Sequence, residues 1–328
     1  MLLVLQCDFQ VFLTMPVSQS PQHDFVHAAN VALAAQKFLS KLDHSAVTRG
    51  SFGLAEDKLS QFALVLATVI HDVDHRGMPN FCLAKADPTL HQKYSGKATQ
   101  EQNSFELAWK ILMRPEYSEL RACIYHNQVE MIRFRQVLVK AVIATDIFDP
   151  EQSRLRMERW QTAFGGDDDK ANTSPAKDSL KANAIIEVLI QASDVAHTMK
   201  SWYKYTKCNE KLFKEMKQAY QAGHFDKDPT ENWFAGEVNF LNDYVVPLAT
   251  RLQASGVLGA YGDACLDEAQ DNLNHWEKSG KSLAYMLQAG EESSAKKSEG
   301  RKVAKARLEP DRNPSERSST AGDNATTA

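Results

Sequence analysis

Leu59-Ser60-Gln61-Phe62-Ala63-Leu64-Val65-Leu66-Ala67-Thr68-Val69-Ile70 runs straight into His71-Asp72-Val73-Asp74-His75. The apolar residues at 59, 62, 63, 66 and 70 fall on one face at a 3.6-residue period, which marks an amphipathic helix. Asp57, just upstream, is a suitable N-cap. The apolar run then ends on two ionisable residues side by side. Unpaired charge at a buried helix end is costly, so His71 and Asp72 need a partner. A divalent cation is one such partner, because an imidazole nitrogen with a carboxylate oxygen suits Zn, Fe, Mn or Mg. Taken alone, the pair also reads as a polar surface turn.

Similar helical patterning recurs at 24–41, 101–113, 130–147, 180–194, 207–222 and 231–253. No convincing run of alternating strands interrupts it. The expectation is an all-α fold, a compact multi-helix bundle. Gly165-Gly166-Asp167-Asp168-Asp169, running on to Asp178, reads as a polar loop. From Glu291 onward the chain is Ser, Lys, Arg, Glu and Ala with almost no large apolar residue. Such a segment cannot bury enough surface to offset its ordering entropy, so disorder is expected. Its cluster of Lys296, Lys297, Arg301, Lys302, Lys305 and Arg307 reads as a solvated tail before it reads as a targeting patch. The expected organisation is a truncated helix stub at 1–20, a catalytic domain at 21–290 and a disordered charged tail at 291–328.

The 328 residues carry a formal net charge of -4, with 43% hydrophobic and 24% charged residues. That is enough apolar material for a substantial core. It offers no basic face of the kind nucleic-acid binding needs, so no nucleic-acid partner is expected. Cys7, Cys82, Cys123, Cys208 and Cys265 are scattered, with no Cys-x-x-Cys pair. They argue against a disulfide framework and a thiolate zinc site, and fit a reducing, cytoplasmic setting. No stretch reaches the 18 or so apolar residues of a membrane-spanning helix. Met1 to Met15 is apolar but interrupted by Gln6, Asp8 and Gln10, and lacks the basic start of a signal peptide. It reads as the stub of a helix cut from a longer protein, which could itself be membrane-anchored.

Two more clusters carry the same chemistry. His23 and His27, in His23-Asp24-Phe25-Val26-His27, stand four apart and share a helix face. Such a pair can bind one metal, or one His can ligate while the other does acid–base work. Downstream, Asp194 ends the apolar run Ile190-Gln191-Ala192-Ser193, with His197 three residues on. Asp194 also reads as a cap for a following helix. His27, His71, Asp72 and Asp194 together make a four-ligand site on three helices with positions left for water. A second, harder ion sharing Asp72 and otherwise holding water would fit Mg or Mn.

In these motifs the chain resembles the catalytic domain of class I 3′,5′-cyclic nucleotide phosphodiesterases, within the His-Asp metallohydrolase superfamily, and is most similar to diatom and protist forms. The resemblance runs from about Gln22 to about Leu252. His23-Asp24-Phe25-Val26-His27-Ala28 is similar to the family's His-Asn-x-x-His-Ala. His71-Asp72-Val73-Asp74-His75-Arg76-Gly77-Met78-Pro79-Asn80 is similar to His-Asp-x-Asp-His-x-Gly-x-x-Asn. Thr99-Gln100-Glu101-Gln102-Asn103-Ser104 sits where the family has a Glu-centred motif. Ala144-Thr145-Asp146 matches Ala-Thr-Asp, Ala192-Ser193-Asp194 occupies the slot of the last metal ligand, and Glu237-Val238-Asn239-Phe240 that of Gln-x-x-Phe.

The resemblance implies two divalent metals: a first, Zn, on His27, His71, Asp72 and Asp194, and a second, Mg or Mn, bridged by Asp72. It implies His23 as general acid oriented by Glu101, His75 helping to hold the phosphate, and Phe240 stacked on the base. Asn80, Asp146, His197 and Glu237 complete the expected substrate pocket. The expected partner is a small-molecule cyclic nucleotide. A metal-activated hydroxide would attack the cyclic phosphate in line with the bond to the 3′ oxygen, and His23 would protonate the departing oxygen. The product would be a nucleoside 5′-monophosphate. The chain departs from the pattern at Asp24, Asn30, Asn103 and Glu237. The last bears on substrate: an ionised Glu only accepts hydrogen bonds, so it pairs with guanine N1–H and N2–H₂ and repels adenine N1. The expectation leans to cyclic GMP. The rival readings are an inactive cyclic-nucleotide sensor and another His-Asp superfamily phosphohydrolase or di-iron oxygenase. The remaining histidines and the five Trp residues read as structural.

Overall fold

The computed structural model describes residues 25–42, 51–166, 174–223 and 225–308, with side chains described to 290. Among them no β-strand forms, and the chain is a succession of helices. In order these are α1 (Phe25–Leu39), α2 (Lys58–Ile70), α3 (Leu83–Ala86), α4 (Pro88–Lys93), α5 (Thr99–Leu112), α6 (Ser118–Ile124) and α7 (Gln128–Ile143). Then follow α8 (Pro150–Phe164), α9 (Pro175–Asp194), α10 (Trp202–Gln221), α11 (Trp233–Phe240), α12 (Val246–Ala254) and α13 (Ala260–Leu308). The all-α expectation holds.

The opening helix, α2, is the middle of the fold. Asp57 caps it by accepting from the Ser60 N–H at 3.2 Å, as its position predicts. Its burial goes beyond the predicted face: Ala63, Leu64, Leu66, Ala67, Thr68 and Ile70 are all buried, because α1, α5, α7 and α9 pack around it. A helix covered on several sides needs no polar stripe. On α7, Phe134 is fully buried, its ring between those of Phe62, Trp109 and Tyr125 at centroid distances of 6.0, 6.4 and 5.9 Å. Burying such a ring contributes about 1.5–3 kcal/mol.

Boundaries differ from expectation where turn chemistry decides them. The loop predicted to reach Asp178 ends at Ser174, which caps α9 ahead of Pro175 in its first turn. Helix α8 was not expected. Its large apolar residues, Leu155, Met157, Trp160 and Phe164, are few and none is buried, Arg156 being the buried residue, so no apolar stripe marks it; Asp149 caps it and Pro150 starts it. The helix expected over 231–253 carries one π-helical turn, Leu241–Val245, between α11 and α12.

The described chain divides into two compact units at Lys281 and Ser282. The first holds every site residue discussed below. The second is the C-terminal part of α13. Over part of the stretch expected to be disordered, from Glu291, the backbone of α13 is described as helix to Leu308. Ala, Lys, Glu and Arg, frequent there, are strong helix formers. Residues 1–24 and 309–328, including the expected N-terminal stub, lie outside the described residues.

Candidate functional site

Three helices deliver the predicted ligands to one point. His27 comes from the first turn of α1, His71 and Asp72 directly follow α2, and Asp194 is the last residue of α9. His27 Nε2 stands 3.0 Å from Asp194 Oδ1 and 3.6 Å from Asp72 Oδ2. His71 Nε2 stands 3.1 Å from Asp72 Oδ2 and 3.5 Å from Asp194 Oδ1. The buried His71 ring is oriented from behind, with its Nδ1 hydrogen-bonded to the Thr68 carbonyl at 2.9 Å. That fixes the proton on Nδ1 and aims Nε2 at the carboxylates, the arrangement typical of a metal-ligating His.

The donor set fits a divalent cation. Ligand atoms about 2.0–2.2 Å from a tetrahedral zinc stand roughly 3.4 Å apart, and the four His–Asp pairs here stand 3.0–3.6 Å apart. The group whose ligand atoms all lie within 4.8 Å of one another is His27, His71 and Asp194, with Asp72 reaching both imidazoles from beside it. Burial works against a charged His71, but Asp72 and Asp194 outweigh it and hold its pKa well above the ordinary value. Asp194 is likewise disfavoured as an anion by burial, yet its bonds to His27 and His71 depress its pKa. Each sign of charge is thus held in place by the other, and a cation among the four would replace the protons that now do this.

The segment after Asp72 is bent by left-handed backbone at Asp74 (φ 58°) and Gly77 (φ 69°). Only a short polar side chain or Gly adopts this readily. α5 clamps the bend. Asn103 Nδ2 donates to Asp74 Oδ2 (3.0 Å), Ser104 Oγ to the Val73 carbonyl (2.6 Å) and Gln100 Nε2 to the Met78 carbonyl (2.7 Å). His75 stands on this bend, its Nδ1 accepting the Gly77 N–H at 3.1 Å. The Glu-centred motif of the sequence is therefore largely a clamp for the His-Asp loop, a role its spacing did not announce.

Asn80 links the remaining acids. Its Nδ2 donates to Glu101 Oε2 at 2.8 Å and to Asp146 Oδ2 at 2.9 Å, while its Oδ1 accepts the Gln100 N–H at 3.0 Å. Asn80 and Asp146, expected beside substrate, thus also tie α5 to the end of α7. Burial and the nearby Asp146 push Glu101 up to about 7. Burial likewise raises Asp146, against the bond from Asn80. His197 follows α9 in a short 3-10 turn, Ala196–Met199, and burial and then His27 lower its pKa to about 4, so it is neutral. His23, the expected general acid, lies outside the described residues.

A second cluster surrounds Glu237 on α11. The Tyr205 hydroxyl donates to Glu237 Oε2 at 2.5 Å, and Trp276 Nε1 donates to that hydroxyl at 2.8 Å. Trp233 Nε1 donates to Asn209 Oδ1 at 3.0 Å, and the buried Asn209 Nδ2 beside it has no hydrogen-bond partner among the described residues. Burial pushes the Glu237 carboxyl up to about 7, and the bond from Tyr205 pulls it down. One turn on, the Phe240 ring is half-exposed and stacks on Tyr244 at 5.5 Å. The sequence reading missed Tyr205 and Asn209 and took Trp233 and Trp276 as packing only. Both indoles are buried, as that reading requires, but both also donate their N–H into this cluster.

Comparison with known proteins agrees with this architecture. The family described as 3′5′-cyclic nucleotide phosphodiesterase matches residues 22–255. The chain is 22% identical over 274 residues to the cGMP-specific 3′,5′-cyclic phosphodiesterase alpha of Plasmodium falciparum (isolate 3D7), covering 78% of this chain and 26% of that protein. It is 27% identical over 139 residues to the mouse high affinity cAMP-specific and IBMX-insensitive 3′,5′-cyclic phosphodiesterase 8A, covering 42% of this chain and 16% of the relative. The chain thus spans about a quarter or less of the length of these relatives. Its fold is similar to the crystal structure of the phosphodiesterase domain of the RhoPDE fusion protein from the choanoflagellate Salpingoeca rosetta, with a TM-score of 0.67 at 19% identity, covering 85% of this chain and 84% of that one. With the matched span running from just before α1 to the end of α12, the chain belongs to the 3′5′-cyclic nucleotide phosphodiesterase family.

Proposed function

We propose that this chain hydrolyses 3′,5′-cyclic nucleotides to nucleoside 5′-monophosphates, ending a cyclic-nucleotide signal in the cytoplasm. The observation that carries the reading is the convergence of His27, His71, Asp72 and Asp194 from three helices at ligand spacing. These four would hold the first cation, Zn, and Asp72 would share a second, Mg or Mn. Such ions, when bound, lower the pKa of water toward neutrality and offset charge on the phosphate.

The chain's own groups do the rest. His75 steadies the phosphate from the clamped bend. His23 gives its proton to the departing 3′ oxygen, help typically worth about 10²–10⁴ in rate. Glu101 orients His23. Asn80, Asp146 and His197 line the substrate side, Phe240 stacks on the base and Glu237 reads its edge.

The purine preference follows the charge of Glu237. As a carboxylate it accepts twice from guanine, so cyclic GMP is favoured. As a neutral carboxyl it donates to adenine N1 and accepts from adenine N6–H₂. A group that titrates at about 7 has both forms near neutrality, so the lean to cyclic GMP belongs to the alkaline side. The test is product detection after incubating the metal-loaded protein with cyclic AMP and cyclic GMP in parallel. Formation of 5′-AMP or 5′-GMP that stops on chelation supports the reading; binding of either nucleotide without turnover would overturn it.

A further inference from the structure

A cavity of about 200 Å³ lies apart from the His-Asp cluster and the Glu237 pocket, among α7, α8 and α9. Its walls include Lys140 and Ile143 of α7, Gln152, Arg156 and Arg159 of α8, and Glu187 of α9. Three cations therefore face one carboxylate. Glu187 is occupied by Arg159, whose Nε and Nη2 donate to its two oxygens at 2.9 and 3.0 Å. Among the described residues Lys140 has no ion-pair partner, and Arg156 feels the Asp146 and Glu187 carboxylates only from beyond ion-pair distance.

Arg156 is the telling residue. Its side chain is 8% exposed, yet its hydrogen bonds go to neutral oxygens: Nη1 to the Asp146 carbonyl and Nη2 to Ser153 Oγ, both at 2.9 Å. Neither Arg156 nor the nearby Arg251 has an ion-pair partner among the described residues. Burial accordingly lowers the pKa of both. The deficit continues past the cavity wall, where Arg251 Nε and the Tyr244 hydroxyl are buried with no hydrogen-bond partner. A guanidinium taken out of water without a compensating anion is strongly unfavourable. A recess bordered by such a group, a second guanidinium and a lysine is complementary to an anion from outside the chain.

We propose that this cavity binds a small phosphate dianion, either orthophosphate or the phosphate of a phosphomonoester. A phosphate matches the planar donors of a guanidinium and accepts from Lys Nζ at the same time. The volume is several times the roughly 30 Å³ share of one water, enough for a tetrahedral oxyanion but below the 300 Å³ or so of a typical drug-sized pocket. Exposed Lys140 and half-exposed Arg159 leave a way in from solvent.

The test is calorimetric titration and thermal unfolding of the full chain with inorganic phosphate, against sodium chloride at equal ionic strength. His71→Ala serves as a background in which the His-Asp cluster no longer contributes. Wild type and His71→Ala should both bind phosphate and melt higher with it. Lys140→Gln, at an exposed position that leaves packing intact, should raise the Kd by about tenfold, the worth of one charge-assisted hydrogen bond. Arg156→Gln should abolish binding. A parallel titration with 5′-AMP distinguishes the two sources, since a monoester that fits binds no more weakly than orthophosphate. No phosphate-dependent heat or melting shift in His71→Ala would overturn the proposal, and so would binding that Lys140→Gln leaves unchanged.

Discussion

The His-Asp cluster and the Glu237 cluster are both knots of buried polar groups, but they are balanced differently. Around Asp194 every anion faces a base at 3.0–3.6 Å, and opposite charges hold each other. Around Glu237 a single carboxyl is held by a neutral donor, the Tyr205 hydroxyl. The first cluster keeps Asp194 ionised and is built to take a cation. The second makes ionisation expensive and leaves its carboxyl divided between two charge states near pH 7. A fixed charge suits chemistry on a phosphate, which is the same in every cyclic nucleotide. A variable charge suits the purine, which is not.

The largest expected effect comes from breaking the first cluster. His71→Ala should lower kcat/KM for cyclic nucleotides by more than 100-fold and release the bound cation, since loss of a group merely supporting a ligand already costs about 10–100-fold. Metal content by plasma mass spectrometry beside the kinetics checks it; retained metal with lost activity would mean that His71 acts otherwise. Next is the purine. In the wild type the ratio of kcat/KM for cyclic GMP over cyclic AMP should rise by roughly tenfold or more between pH 6 and 8, as Glu237 passes through its pKa. Glu237→Gln should flatten that profile, and an unchanged slope in the variant would remove Glu237 from the purine reading.

Stability gives a third contrast. Glu237 titrates at about 7 when folded against 4.5 for an exposed carboxyl. With its pKa raised, its contribution is fully present below pH 4.5 and is lost as pH rises through 7. Urea unfolding should therefore show Glu237→Gln gaining on the wild type by about 3 kcal/mol between pH 4.5 and 8. The smallest effect on the purine profile is that of Tyr205→Phe. It takes a hydrogen bond from the buried Glu237 and leaves the buried Trp276 Nε1 without its acceptor, each a loss of about 1–3 kcal/mol. Because it also removes a donor that favours the anion, the midpoint of the purine profile should move to higher pH.

The two clusters also differed in how much the sequence disclosed. His71-Asp72 and Asp194 each end an apolar helical run, and ionisable residues in such places are visible in one dimension. The ligand set could be written from those run ends and the His23–His27 pair. The surroundings of Glu237 could not. Tyr205 and Asn209 sit on α10, Trp233 on Glu237's own α11 and Trp276 on α13, and nothing in a linear pattern says which indole N–H meets which hydroxyl. α8 escaped for a related reason: its sole buried residue is a charged one, so it leaves no apolar period. Its Asp149-Pro150 start was the signal available, as Ser174-Pro175 was for α9.

The π turn at Leu241–Val245 has a consequence for how this chain tolerates change. It accommodates one residue more than an α-helical path would, between the end of α11, which bears Glu237 and Phe240, and the buried Leu248 and Leu252 of α12. Each residue advances an α-helix by about 100°. Deleting one residue inside the turn lets the helix close up as ordinary α-helix with both flanks in their present orientation. The same deletion a few residues to either side leaves the turn in place and rotates Glu237 or Leu248 off its face. Length variation in this helix is therefore permitted at one short stretch and forbidden beside it.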